Sequence, residues 1–230
     1  MSVRLAVFAS GGGSNLQALL DAFNAVPDAP AHVALVISDR SDAGALDRAL
    51  AADVPAHVID VRARPEADVA LELLGLLRRY AVGMIALAGY LRLVPAAVIA
   101  AYPSRIVNIH PALLPGFGGR GMYGRRVHEA VLAAGARVTG PTVHYVTERY
   151  DEGRIIAQWP VPVLPSDSPE TLAARVLAVE HRLYPLVLAA LALGEPGRDR
   201  ELTDAAFHWS EDGAPVAAEL IHLVQPTPLP

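Results

Sequence analysis

Val3-Arg4-Leu5-Ala6-Val7-Phe8-Ala9-Ser10-Gly11-Gly12-Gly13-Ser14-Asn15-Leu16-Gln17-Ala18-Leu19-Leu20 is the stretch on which the fold turns. Val3–Ala9 is an apolar run ending at glycines, which reads as a buried strand. From Ser14 to Val26, Leu16, Leu19, Leu20 and Phe23 recur at helical spacing. A strand, a glycine loop and a helix in succession open a doubly wound sheet, and such a sheet places a phosphate at that loop. The glycines let backbone N–H groups approach an anion, and the helix N-terminus adds partial positive charge. Gly12, Gly13, Ser14 and Asn15 are therefore candidate phosphate binders; the alternative is a tight turn needing positive φ. Leu16 stands where a dinucleotide fingerprint needs a third glycine, so one phosphate monoester suits the loop better than a dinucleotide.

The same alternation continues downstream. Val33–Ile37, Ala56–Val61, Gly83–Ala88 and Ile106–Ile109 read as strands, and Gly44–Ala52, Glu66–Tyr80 and Pro95–Ala101 as helices. The class is α/β: a doubly wound, mostly parallel sheet with a Rossmann-type N-terminal half. The pattern then changes. Pro111–Gly124 is a glycine-rich loop, Arg125–Ala134 a helix, and Val138–Thr147 and Arg154–Val163 two antiparallel strands around a turn at Tyr150-Asp151-Glu152-Gly153. A long helix runs from Asp167-Ser168-Pro169-Glu170 to about Leu193, with Asp167 and Glu170 at capping-box spacing and Pro185 inside. The expected division is a domain over 1–194, with halves 1–104 and 105–194, and an extension over 195–230 with short strands at Ala205–Ser210 and Val216–Val224.

Composition narrows the chemistry. The 230 residues carry a net charge of −5, which offers no basic footprint for nucleic acid. No uninterrupted apolar run suggests a membrane span, and the start shows no signal-peptide pattern, so a cytoplasmic protein is expected. There is no cysteine, which removes thiolate catalysis, disulfides and cysteine-ligated metal. All 19 basic residues are arginine, which removes Schiff-base chemistry and the Walker lysine. The eight histidines show no metal-ligand spacing, and no metal is expected.

Asn108-Ile109-His110-Pro111-Ala112-Leu113-Leu114-Pro115 follows a strand. Asn108 and His110 are two apart and so share a face. An amide donor beside an imidazole at a strand end can stabilise an oxyanion and move a proton, which suits acyl transfer. Asp151 is either an ordinary turn aspartate or a carboxylate reaching His110, in which case it would keep the ring cationic. Thr142 and His144 share a face of their strand, and His144 reads as structural. Arg92 is either a carboxylate-binding or a solvated loop arginine. Glu180 is either an acceptor for sugar hydroxyls or a surface glutamate.

Together SGGGSNLQALL (10–20), LAGYLRLV (87–94), NIHPALLP (108–115), VTGPTVHYV (138–146), the turn at 151–153 and EHRLYPLV (180–187) resemble the phosphoribosylglycinamide formyltransferases, folate-dependent enzymes of purine synthesis. The resemblance covers residues 1 to about 190. It implies that Asn108, His110 and Asp151 are catalytic, with Thr142 near them. It implies that Gly13, Ser14 and Asn15 bind the substrate phosphate, that Arg64 assists them, and that Glu180 contacts the ribose. Arg92, Leu93 and Val94, with Asn108, Val146, Thr147, Glu148 and Asp151, would wall the pocket for 10-formyltetrahydrofolate, the cosubstrate. Small-molecule substrates, no nucleic acid, no membrane, and a monomer or homodimer follow.

The chain departs from the family pattern in three places. Pro65 separates Arg64 from Glu66-Ala67, Leu177 stands where a polar residue often assists the phosphate, and the 116–124 loop has an unusual form. Arg120, Arg125 or Arg126 would compensate. The alternatives are another 10-formyltetrahydrofolate enzyme, such as a deformylase, and a non-catalytic folate- or nucleotide-binding protein.

Overall fold

The computed structural model describes residues 2–62 and 64–194. The 195–230 extension and its two expected strands lie outside the described residues. Five strands and four helices alternate first: β1 (Val3–Phe8), α1 (Ser14–Phe23), β2 (Ala31–Ser38), α2 (Gly44–Ala51), β3 (Ala56–Val58), α3 (Glu66–Arg79), β4 (Met84–Leu87), α4 (Ala96–Ala101) and β5 (Ile106–His110). Then follow α5 (Arg125–Ala133), β6 (Val138–Thr139), β7 (Thr142–Tyr145), β8 (Ile155–Gln158), β9 (Val161–Pro162) and α6 (Pro169–Leu193). The main sheet has seven strands in the order β3-β2-β1-β4-β5-β7-β8. Pairing is parallel from β3 to β5 and antiparallel from β5 through β7 to β8.

Strand periodicity divides the interior in two. Leu5 and Val7 of β1 face one core with Leu16, Leu19, Val176 and Leu183, while Ala6 and Phe8 face the other with Leu73, Leu77 and Val98. Helices thus cover both faces, which is why these strands are apolar at every position instead of alternating. The chain leaves β1 toward β2 and β3, then returns to place β4 on the other side of β1. That reversal opens a crevice at the carboxyl ends of the strands. The glycine loop, the 88–94 segment and the end of β5 all lie there.

Three expectations need correction. The stretch Val138–Thr147 is two short strands, and Arg154–Val163 is likewise split; β6 and β9 form a separate two-stranded antiparallel sheet. Gly140 has φ of 140°, and a Cβ there would sit 1.8 Å from the Trp159 carbonyl oxygen, so the chain must bend at that point. Pro141 and Pro160 cannot donate to a ladder, which enforces both breaks. The cap of α6 also differs. Ser168 accepts from the Thr171 amide and the Thr171 hydroxyl accepts from the Ser168 amide, with Pro169 at the first helical position. Asp167 instead takes a two-pronged ion pair from Arg175, both contacts at 2.7 Å, which holds its carboxyl down at about 2. Finally, α6 has the length and apolarity to cross a membrane. One face of it packs into the core: Leu172, Val176, Leu183, Tyr184 and Leu188 are buried, and the Tyr184 hydroxyl is shared between the carbonyls of Leu87 and Val107 at 3.0 Å each.

Candidate active site

Asn108 and His110 end the last parallel strand. Across the antiparallel ladder Asn108 lies opposite His144 and His110 opposite Thr142, so all four side chains share one face. Thr142 is fully buried and braces the outgoing loop: its hydroxyl donates to the Ala112 carbonyl at 2.7 Å and accepts from the Leu114 amide at 3.0 Å. The Asn108 amide donates to His144 Nε2 at 3.0 Å, while His144 Nδ1 lies 2.8 Å from the Tyr145 carbonyl. A carbonyl only accepts, so Nδ1 carries a proton and, in the neutral ring, Nε2 is the acceptor. This fixes which way the Asn108 amide turns and leaves its second N–H for another partner.

Asp151 comes to the same place from the turn after β7. Its Oδ2 is 3.5 Å from His110 Nδ1, and its Oδ1 is 3.6 Å from His144 Nε2. Oδ2 also accepts from the Gly119 amide at 2.8 Å. Asp151 has φ of 57°, the left-handed region that non-glycine residues avoid. Glycine is obligatory two residues on, where a Cβ at Gly153 would lie 1.6 Å from the Tyr145 carbonyl oxygen. Burial pushes the Asp151 carboxyl up, but the two imidazoles and the Gly119 N–H outweigh it and hold the group below its ordinary value. The carboxylate is therefore ionised at neutral pH.

The expectation of a resting cationic His110 is corrected by the same environment. Burial lowers its pKa, and the opposing pull of Asp151 and the Phe117 carbonyl does not restore it. The ring rests neutral, with Nε2–H donating to the Phe117 carbonyl at 2.9 Å and Nδ1 unprotonated toward Asp151. A base facing an ionised carboxylate accepts a proton readily during a reaction, because the imidazolium is stabilised as it forms.

These groups open on a cavity of about 850 Å³. Of the candidate residues, Asn15, Arg92, Leu93, Val94, Asn108, His110, Val146, Thr147, Asp151 and Glu180 line it. Gly12, Gly13, Ser14, Arg64 and Glu148 are not on its wall. Gly12 and Gly13 shape the loop: Gly13 holds φ of 72° where a Cβ would strike Ala45, and the Gly12 carbonyl accepts from Arg48 Nε at 2.8 Å. Among the described residues no side chain caps α1, so its first N–H groups remain available to an anion. Arg64 is committed elsewhere, pairing with Glu72 at 2.8 Å on the flank of α3.

Asn15 Nδ2 donates to Glu180 Oε2 at 2.6 Å, joining α1 to α6. Burial pushes the Glu180 carboxyl up to about 7, and the Asn15 bond only partly opposes it. Arg92 Nε donates to Asp39 Oδ2 at 2.8 Å. Leu177 lines the cavity, as do Arg120, Arg125 and Arg126, with Arg125 paired to Glu129 and Glu170. Among the described residues no group of three or more histidine, aspartate or glutamate side chains is gathered to hold a metal ion.

Two cavity histidines escaped the sequence reading. His144 was legible in part, since it shares the Thr142 face of its strand; what was missing was the register that sets it opposite Asn108. His128, on α5, is buried with Nδ1 unpartnered among the described residues, and neither spacing nor composition marks it out.

Residues 3–188 match the family described as formyl transferase. The chain is 43% identical over 215 residues to phosphoribosylglycinamide formyltransferase, chloroplastic, from Arabidopsis thaliana, covering 93% of this chain and 70% of that protein. It is 38% identical over 190 residues to phosphoribosylglycinamide formyltransferase from Bacillus subtilis, covering 82% of this chain and 94% of the other. The crystal structure of phosphoribosylglycinamide formyltransferase from Brucella melitensis superposes with a TM-score of 0.76 at 44% identity, covering 85% of this chain and 98% of that one.

Proposed function

This chain belongs to the formyl transferase family, and we propose that it transfers the formyl group of 10-formyltetrahydrofolate to the primary amine of 5-phosphoribosylglycinamide, a step of purine biosynthesis. The observation that carries this reading is the meeting of Asn108, His110 and Asp151, from distant parts of the chain, on one cavity wall. Asn15 and Glu180 lie on another part of the same wall, where a ribotide would rest.

The substrate amine attacks the formyl carbon directly, without a covalent enzyme intermediate. As the new C–N bond forms, negative charge gathers on the formyl oxygen, and the free N–H of Asn108 donates to it. The attacking nitrogen must lose a proton. Neutral His110 takes it, and Asp151 stabilises the imidazolium at 3.5 Å from Nδ1. The imidazolium then protonates the departing folate nitrogen as the old C–N bond breaks. The proton removed from the amine thus ends on tetrahydrofolate and the enzyme returns to its starting state.

The apolar wall of Leu91, Leu93, Val94 and Val146 suits a pterin and benzoyl framework, with Arg92 placed for a carboxylate. The N-terminus of α1, with Gly13, Ser14 and Asn15 and no side-chain cap among the described residues, suits the phosphate. Arg64 is assigned no role, since its partner is Glu72. The monomeric or homodimeric state, the cytoplasmic location and independence of metal belong to the same proposal. The test is incubation with 10-formyltetrahydrofolate while following tetrahydrofolate, with and without the glycinamide ribotide. Release that depends on the amine supports transfer. Release without it identifies a deformylase, and binding with no release identifies a non-catalytic protein.

A further inference from the structure

Asp39 follows β2, on a different crossover from the 88–94 segment, yet it lines the same cavity as Arg92. Its carboxylate side chain is 2% exposed, whereas that of Arg92 is 46% exposed. A carboxylate removed from water is costly unless it is partnered. Here one Oδ2 contact to Arg92 Nε, at 2.8 Å, serves that purpose, and Oδ1 has no hydrogen-bond partner among the described residues. The neighbouring arginines are engaged with other carboxylates: Arg40 with Asp42 at 2.7 Å and Arg62 with Asp60 at 2.9 Å. Among the described residues the cation hydrogen-bonded to Asp39 is Arg92, while Arg40 and Arg62 act on it only through their charge.

The contact geometry matters more than the charge. Asp39 grips the guanidinium by Nε, the nitrogen nearest the chain. That leaves the two terminal Nη groups, the fork that matches a carboxylate, without a partner among the described residues. An arginine on a loop at a cavity mouth otherwise samples many rotamers, and a ligand must supply the ordering entropy. Anchoring Nε inside the wall removes most of that disorder before the ligand arrives.

We propose that Asp39 is a positioning residue for the cosubstrate: it fixes Arg92 so that its free Nη fork meets a glutamate carboxylate of 10-formyltetrahydrofolate. This rests on the reading of Arg92 as a folate contact. Two opposed effects attend the pair, because Asp39 orders Arg92 but also repels an incoming anion. Arg92 is half in solvent, where charge effects are screened, so ordering outweighs repulsion.

The experiment is steady-state kinetics on Asp39→Ala, Asp39→Asn, Arg92→Ala and the Asp39→Ala/Arg92→Ala double variant, with circular dichroism to confirm folding. Asp39→Ala is expected to raise KM for 10-formyltetrahydrofolate about fivefold with kcat and the ribotide KM unchanged. Asp39→Asn, which keeps an oxygen for Nε, recovers most of that loss. In the Arg92→Ala background Asp39→Ala adds nothing further, because its only route is through the guanidinium. An unchanged or lowered folate KM in Asp39→Ala, or an equal rise in both backgrounds, overturns the proposal. If Asp39→Ala does not fold, Asp39→Ser decides: a folate KM raised with Arg92 present but not in the Arg92→Ala background supports it, and one unchanged, lowered or raised equally in both overturns it. An Arg92→Ala enzyme with normal folate KM instead sinks the underlying assignment of Arg92, a result distinct from any of these.

Discussion

Asn15 and Glu180, 165 positions apart, share a 2.6 Å hydrogen bond inside the cavity wall, and it ties the first helix to the last. Glu180 has a carboxyl pushed up to about 7 by burial. A group whose folded pKa lies above its unfolded value stabilises fully below the unfolded value and loses that contribution as pH rises through the folded one. Between about pH 4.5 and 7 this residue alone costs the fold about 3 kcal/mol. Glu180→Gln keeps an acceptor for Asn15 and cannot ionise. Its thermal midpoint, measured from pH 5 to 8.5, is expected to decline less toward the alkaline end than that of the wild type.

His110 responds to pH in the opposite sense. Burial lowers its pKa from the ordinary 6.5, so its contribution to stability is present above that value and lost as pH falls toward the folded one. Asp151 pulls the ring upward more than the Phe117 carbonyl does, and removing its charge in Asp151→Asn shifts the titration further down. Following the ring resonances by NMR checks this; an upward movement refutes the arrangement. The same variant, with Asn108→Ala and His110→Ala, is expected to lose roughly 10²–10³ in turnover while remaining folded.

His144→Ala removes the acceptor that orients the Asn108 amide, 3.0 Å away. Turnover is expected to fall about tenfold, less than on losing the oxyanion donor itself, with KM for both substrates nearly unchanged. A fall confined to KM contradicts the orienting role.

Arg64→Ala is expected to leave KM for the ribotide at its wild-type value, because the guanidinium is paired with Glu72 and is absent from the cavity wall. Asn15→Ala in the same assay raises it. A higher KM in Arg64→Ala returns the residue to the phosphate site.

Tyr184→Phe leaves the Leu87 carbonyl, at the end of β4, and the Val107 carbonyl, inside β5, without their shared donor. Loss of a buried hydrogen bond of this kind costs about 1–3 kcal/mol. Urea denaturation is expected to show a lower midpoint with an unchanged slope.

The sequence by itself determined the parallel half of the sheet and the location of the glycine loop. Apolar strands such as Val3–Phe8 and helices such as Ser14–Phe23 announce themselves through local periodicity, which needs no partner to be read. It also determined the pairing of Asn108 with His110 on one face, since two residues apart on a strand admits one outcome. Only the tertiary structure decided the rest. The split of the later strands depended on how closely Gly140 approaches the Trp159 carbonyl, a contact between distant segments. The meeting of Asp151 with two imidazoles, the neutrality of His110, the withdrawal of Arg64 and the grip of Asp39 on Arg92 all depend on separations through space and on exclusion of water. Charge states follow the dielectric around a group as well as its neighbours, and that environment exists only once the chain has folded.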